Sequence, residues 1–285
     1  MTPETRKRVR TYFDGVRPGI YWPRDLSDLV DDYRRRRGEF DLGLQQVMNF
    51  LLKEGILHKA EFRSRRYRSI IRYLKGNPSP YELAVSLRRD SFLCHKTALV
   101  LHGLEPPTTT IHVNKEQARK PAPERMTQED INRAFKNRQR RSNYILRYER
   151  SQFVLISGKN TGKAGVIPLR APDGAQVDST GLERTLIDIV VRPAYAGGIN
   201  RVFTAYKRAA SKIDVHHMIA LLRELGYAYP YHQSIGFLLE RAGRPRRDCE
   251  KFKDFGLEFD FFLDYCLKRP AYDRNWRLYY PRELA

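Results

Sequence analysis

Acidic residues are the scarce class in this 285-residue chain: 33 Asp and Glu stand against 53 Lys and Arg, a formal net charge of +20. Such a deficit makes a nucleic acid or an anionic surface the expected partner. Long apolar runs are missing too. No stretch approaches the roughly 20 residues that a bilayer-spanning helix needs, and the first residues carry none of the apolar segment of a signal peptide. No membrane partner and a cytoplasmic location are the expectation. Cysteine is rare: Cys94, Cys249 and Cys266 are odd in number and far apart, and no paired Cys or His spacing would hold zinc. A disulfide scaffold, a metal site and a cofactor are therefore not expected, and the thiols read as core fillers in a reducing compartment. Repeats and low-complexity segments are absent as well. With 41% hydrophobic and 12% aromatic residues, the chain can still bury a substantial core, in two domains or three.

The most informative segment is residues 41–75, DLGLQQVMNFLLKEGILHKAEFRSRRYRSIIRYLK. Leu44, Val47, Met48, Leu51 and Leu52 recur at the spacing of one helix face, while Gln45, Gln46, Asn49 and Lys53 fall on the other. Gly55 sits where a helix needs a left-handed closing residue. Beyond it, Ile56, Leu57, Lys59, Phe62 and Arg63 read as a strand, 63–66 as a turn and 67–73 as the returning strand. Over 57–75, seven basic residues (Lys59, Arg63, Arg65, Arg66, Arg68, Arg72, Lys75) accompany one acid, Glu61. Charges packed so closely repel unless a polyanion neutralises them, and phosphate is the obvious one. Amides on a helix can pair with an adenine edge in the major groove, and arginines on a hairpin tip can hold phosphates or enter the minor groove. Helix followed by basic hairpin is the order of a DNA-reading helix and its wing. A solvated basic hairpin is the bland alternative.

The residues before this segment extend the pattern. Pro23 opens a helix whose buried face is Leu26, Leu29, Val30 and Tyr33. It ends in four arginines, Arg34, Arg35, Arg36 and Arg37, where the helix dipole favours cations and a crossing phosphate backbone would lie close. Residues 2–14 read as a further helix capped by Thr2, adding Arg6, Lys7, Arg8 and Arg10 to a basic surface or serving a dimer contact. Residues 1–76 hold 18 basic and 10 acidic side chains, which makes them nearly twice as basic per residue as the remainder. The turn-forming cluster at 76–80, GNPSP, is the candidate boundary. A second basic belt covers 115–150, including a helix over 127–139 capped at Thr127.

From 80 onward, helices are expected at 81–87, 94–104, 180–190 (with Thr180 as cap), 198–210, 214–225 and 231–242. Short strands are expected at 109–114, 144–148, 153–157 and 164–169. The body is thus α+β. Its segments HKTALVLHGL at 95–104, TIHV at 110–113, and STGLERTLID at 179–188 leading into RPAYAGG at 192–198 resemble the AbiEi-type antitoxins of bacterial abortive-infection systems. The resemblance spans nearly the whole chain. It implies an N-terminal winged helix-turn-helix domain, residues 1–76, and a larger mixed α/β antitoxin domain, residues 77–285, with a further break near 170–180. It also implies a type IV, non-enzymatic protein that represses its own operon at inverted repeats in promoter DNA, as a homodimer there or alone. That protein would counter a nucleotidyltransferase-type toxin with or without a stable complex. The residues that carry the motif are His102, Gly103, Glu183, Arg184, Asp188, Arg192, Gly197 and Gly198.

Physical readings of those residues are plainer. Glu183 with Arg192, or Arg184 with Asp188 four residues on, can form ion pairs. Arg192-Pro193 and Gly197-Gly198 stop one helix and turn into the next, and His102-Gly103 reads as a helix end with a hydrogen-bonded packing histidine. Three other motifs carry little. GKNTGK at 158–163 has one residue too few between its glycines for a phosphate loop, and Ala164 stands where a hydroxyl is needed; a hairpin turn explains it. The acids Asp254, Glu258, Asp260 and Asp264 lack the lysine of a metal-dependent nuclease, and Phe259 and Phe261 between them suggest a buried strand. Adjacent His216 and His217 point about 100 degrees apart on a helix. A nuclease, or a ligand-responsive regulator with no toxin, are the competing classes.

Overall fold

The computed structural model describes residues 1–118 and 126–284. Its architecture is α+β, and the expected helix-then-hairpin order appears at the N-terminus. Helix α1 (Pro3–Asp14) begins at Thr2, whose hydroxyl accepts from the Thr5 amide. Strand β1 (Gly19–Tyr21) leads into α2 (Pro23–Arg37) and α3 (Leu44–Lys53). Val9 and Phe13 of α1, Leu26, Val30 and Tyr33 of α2, and Val47 and Leu51 of α3 close a small helical core of their own. Gly55, at φ +68, turns the chain out of α3. Strands β2 (His58–Phe62) and β3 (Ile70–Lys75) then pair antiparallel, and β1 joins the far edge of β3. The returning strand starts at Ile70, three residues later than the spacing suggests. The Ser64 hydroxyl accepts from the amides of Arg66 and Tyr67, both at 3.3 Å, and holds 63–69 out of the ladder as a broad tip.

After α4 (Pro80–Ser86), capped by Ser79, come β4 (Phe92–Leu93), α5 (His95–Leu101), β5 (Thr110–Glu116), α6 (Gln128–Lys136), β6 (Ile145–Tyr148), β7 (Ser151–Gly158), β8 (Val166–Arg170) and β9 (Gln176–Thr180). These strands form a six-stranded mixed sheet in the order β6-β7-β5-β4-β9-β8. Strands β7 and β8 therefore lie apart, and 159–165 is a crossover, not the hairpin turn expected. Helix α7 (Leu182–Val191) starts two residues later than expected: Thr180 ends β9, and Gly181 takes the cap position. Every side chain of α7 from Arg184 to Val190 is buried, so the helix has no solvent face at all along that stretch. It is surrounded by α5, α8 (Ile199–Ala209), α9 (Val215–Leu225) and α10 (Tyr231–Arg241). The chain finishes with α11 (Arg246–Glu250) and a small sheet of β10 (Phe261–Phe262), β12 (Leu278–Tyr280) and β11 (Ala271–Asp273). Trp276, fully buried, lies against Gly236 of α10 so closely that a Cβ there would meet its ring at 2.2 Å. Cys94 and Cys249 are core residues, but Cys266 is exposed and does not fill the core.

A backbone pair joins the N-terminal hairpin to the body sheet. Strand β2, at the edge of the N-terminal sheet, meets β6, at the edge of the body sheet, through one antiparallel backbone pair. The Arg63 amide donates to the Arg147 carbonyl at 2.9 Å, and the Arg147 amide donates to the Arg63 carbonyl at 2.8 Å. Beneath the seam, Ala60, Phe62 and Leu74 share one core with Ile111, Leu146, Phe153 and Leu155 of the body. Phe62 packs at 4.9 Å on Tyr148 and 5.3 Å on Phe153. The α1–α3 core is local, whereas the hairpin belongs to the body's core as much as to its own sheet.

Candidate nucleic-acid interface

The polar face of α3 is exposed. Gln45 donates its amide to Asn49 Oδ1 at 2.7 Å, one turn on, so the two form a joined amide pair at the surface. Gln46, expected to share this face, is turned back: its Oε1 accepts from the Gly43 amide at 3.3 Å and caps the start of the helix. Lys53 is exposed at the far end of α3.

The arginines sort into two groups. Arg34 is drawn inward, donating Nε to the Leu42 carbonyl at 2.7 Å and Nη1 to Asp31, so it holds the turn between α2 and α3. Arg35 is 72% exposed at the end of α2. On the hairpin, Arg63 pairs with Glu61 at 3.1 Å, and Arg65, Arg66 and Arg68 are exposed. Two of the seven basic residues expected on this surface are not there. Arg72 is 3% exposed; it donates to the Ser86 and Leu87 carbonyls at the end of α4 and stacks at 3.5 Å on Trp22. Burial pushes its guanidinium down to about 10. Lys75 donates to the carbonyls of Phe13, Asp14 and Val16, closing the C-terminus of α1. They leave opposite faces of β3, the central strand of its sheet, and each face is covered: Arg72 meets the end of α4 and Lys75 the end of α1.

Sequence reasoning missed the body's share of this surface. Tyr67 of the tip stacks on Tyr144 with centroids 4.2 Å apart, and its hydroxyl donates to Asn143 Oδ1 at 2.5 Å. Arg88 lies over the other partner, Tyr144, at 4.9 Å. Arg147, exposed on β6, stands opposite Arg63. The only hint in the sequence is the alternation of tyrosine with arginine at 63–68 and 138–150. Part of the basic belt, 119–125, lies outside the described residues, and its helix ends at Lys136 rather than 139.

The family-like segments come together around α7. His102 closes α5, and its Nε2 lies 2.9 Å from the Thr180 carbonyl, with Gly103 completing the turn. Arg184 pairs with Asp188 at 2.9 Å, both nearly inaccessible, and Tyr227 donates to the same carboxylate at 3.4 Å. Burial pushes the Asp188 carboxyl up, against the opposing pull of Arg184. Glu183 does not pair with Arg192; it accepts from the Asp214 amide at 2.9 Å, just ahead of α9. Arg192 ends α7, and Gly197 and Gly198, at φ +98 and +99, turn the chain into α8. Around Tyr195, buried ring nitrogens are left without hydrogen-bond partners among the described residues. His95 and His112 are buried, each packs edge-on to Tyr195, and each has an Nδ1 without a partner among the described residues. Burial, reinforced by Arg192 and Arg184 for His95 and by His95 and Lys96 for His112, pushes both down to about 3.

The three minor motifs resolve physically. In 158–163, Glu116 fills the loop that a phosphate would occupy, accepting from the Thr161 amide at 2.9 Å and from the Lys163 amide at 3.3 Å. Lys159 turns away to the carbonyls of Leu225 and Gly226. Asp260 is taken by Arg277 at 2.9 Å and Tyr272 at 2.7 Å, and the strand expected there is confined to Phe261–Phe262. His216 and His217 are exposed at the start of α9. Among the described residues no group of three His, Cys, Asp or Glu could hold a metal ion, and no helix is long and apolar enough to cross a membrane.

No described family matches the chain, and no curated protein does. Among solved structures, it is similar in fold to the RV2827C protein from Mycobacterium tuberculosis, with a TM-score of 0.60 at 14% identity. The similarity covers 98% of this chain and 92% of that one.

Proposed function

We propose that this chain is a DNA-binding antitoxin of the AbiEi kind, without enzymatic activity. In this reading residues 1–76 are a winged helix-turn-helix, with α2 and α3 as the helix pair and the 63–69 tip as the wing. They bind inverted repeats in the promoter of the chain's own operon. The body counters a nucleotidyltransferase-type toxin. The observation that carries the DNA half is the exposed amide pair Gln45 and Asn49 on α3, on the same N-terminal unit as the exposed arginines of the tip. Paired side-chain amides suit an adenine edge, and arginines suit phosphates. The antitoxin half rests on the resemblance of the segments that meet around α7.

The test uses the full chain, because removing 1–76 would strip Phe62 and Leu74 from the body's core. Wild-type protein should retard a fragment of its own promoter and rescue cells that express the nucleotidyltransferase-type toxin proposed as its partner. Replacing Gln45 and Asn49 by alanine should reduce discrimination between promoter and random DNA by about 1–3 kcal/mol per base pair misread, while rescue persists. Equal retention of both DNAs by the wild type sinks the DNA half, and failure to rescue sinks the toxin half.

A further inference from the structure

The seam between β2 and β6 opens into a basic groove on both sides of its single backbone pair. On one side, a cleft of about 610 Å³ lies between Arg63, Ser64, Arg65 and Arg66 of the tip and Asn143, Arg147 and Glu149 of the body. On the other side, a cleft of about 380 Å³ shares Arg63, Arg147 and Glu149 with the first and adds Lys59 and Glu61. The reason the strands part is local. The Ser64 hydroxyl bends the tip away after Phe62, and Glu149, at φ +48, turns the body chain away after β6. Each strand therefore leaves its partner within two residues of the pair. Five cations face this groove against two carboxylates, Glu61 and Glu149, and Glu61 is already paired with Arg63.

We propose that the groove binds a nucleoside triphosphate. Its larger cleft falls in the roughly 300–1,000 Å³ range of small-ligand sites, and a DNA duplex cannot enter a space of that size. Arginines from two facing walls can hold a polyphosphate chain through paired N–H donors. Next to the larger cleft stands an aromatic surface: Tyr67, 41% exposed, stacks on Tyr144 and is tied through its hydroxyl to Asn143, which lines the cleft. An exposed tyrosine braced from behind is a platform for a base. The site exists only because tip and body are joined, so it is invisible in either half alone. Arg65 and Arg66 line the cleft and are also the tip arginines assigned to DNA phosphates, so nucleotide and operator compete for them. That consequence rests on the operator reading above; nucleotide binding does not.

The experiment is calorimetric titration of the full chain, without DNA, with ATP, GTP and inorganic tripolyphosphate. Arg147 joins β2 through its backbone, so Arg147→Ala keeps the seam, and thermal melting checks that it does. Saturable binding of ATP or GTP, tighter than tripolyphosphate and weakened about tenfold by Arg147→Ala through the loss of a charged hydrogen-bonding partner, is expected. Arg147→Glu should abolish it. No saturable binding, binding indifferent to both Arg147 variants, or equal affinity for tripolyphosphate overturns the proposal. In a second arm, ATP should release wild-type protein from its promoter fragment at about tenfold lower concentration than it releases the Arg147→Ala protein. A wild-type protein that binds ATP but never the promoter refutes the operator reading alone, and release of both proteins alike refutes competition at this groove.

Discussion

Replacing Arg65 and Arg66 together by alanine should change the salt dependence of DNA binding by an amount the structure sets. The sequence offers seven cations on this hairpin, but Arg72 and Lys75 are spent on backbone carbonyls, and Arg63 is paired with Glu61. Arg65 and Arg66 are exposed on the tip, and among the described residues no carboxylate is within ion-pair reach of either. Each phosphate contact that releases a counterion adds about 0.9 to the slope of log affinity against log salt, so losing two should flatten the slope by about 1.8. Between 50 and 200 mM salt that difference amounts to roughly tenfold in relative affinity. Fluorescence anisotropy on the promoter fragment across a salt series measures it, and a random fragment should show the same change, because phosphates carry no sequence. A slope unchanged in the double variant, in a protein that still melts like wild type, would refute the assignment of the tip to phosphate.

Two further outcomes concern the body. His95 and His112 are held down to about 3 in the folded chain against about 6.5 unfolded, so the stability they contribute is complete above about pH 6.5 and is lost as pH falls towards 3. At pH 5 the loss is about 2 kcal/mol for each. Urea midpoints at pH 7 and pH 5 should differ accordingly, and His112→Leu should remove about half of the difference; a variant with the wild-type pH dependence would show that His112 does not carry it. Gly236→Ala should lower the melting temperature, because the added methyl would meet the Trp276 ring at 2.2 Å and overpacking of this kind costs about 1–3 kcal/mol. An unchanged melting temperature would mean that α10 and Trp276 separate freely.

Much of the fold was legible because it is local. Helix α3 could be read from the spacing of Leu44, Val47, Met48 and Leu51, and α9 from Val215, Met218, Leu222 and Leu225, since a single buried stripe has the helical period. Helix α7 was legible as a helix and not as an environment: with both faces buried, its charged residues at 184 and 188 gave no sign of which neighbours would enclose them. The hairpin's second strand was placed too early because Tyr67 and Arg68 suit a strand as well as Ile70 does, and only the Ser64 hydroxyl decides where the turn ends. Strand β9 passed unseen because QVDST lacks the alternation of a half-buried strand, its pairing with β4 and β8 being set by distant residues.

By itself the sequence determined the charge surplus, the amphipathic helices, the basic hairpin and the α+β class, all of which depend on residue type and short-range spacing. Only the tertiary structure decided what each charge does. Arg72 and Lys75 look identical in sequence to Arg65 and Arg66, yet the first pair closes helix ends and the second stands free, because β3 is a central strand and the tip is not. It also decided that β2 meets β6. That meeting, between residues 84 positions apart (Arg63 and Arg147), builds the seam groove, and no pattern along the chain could announce it, since backbone pairing between edges does not depend on side-chain identity.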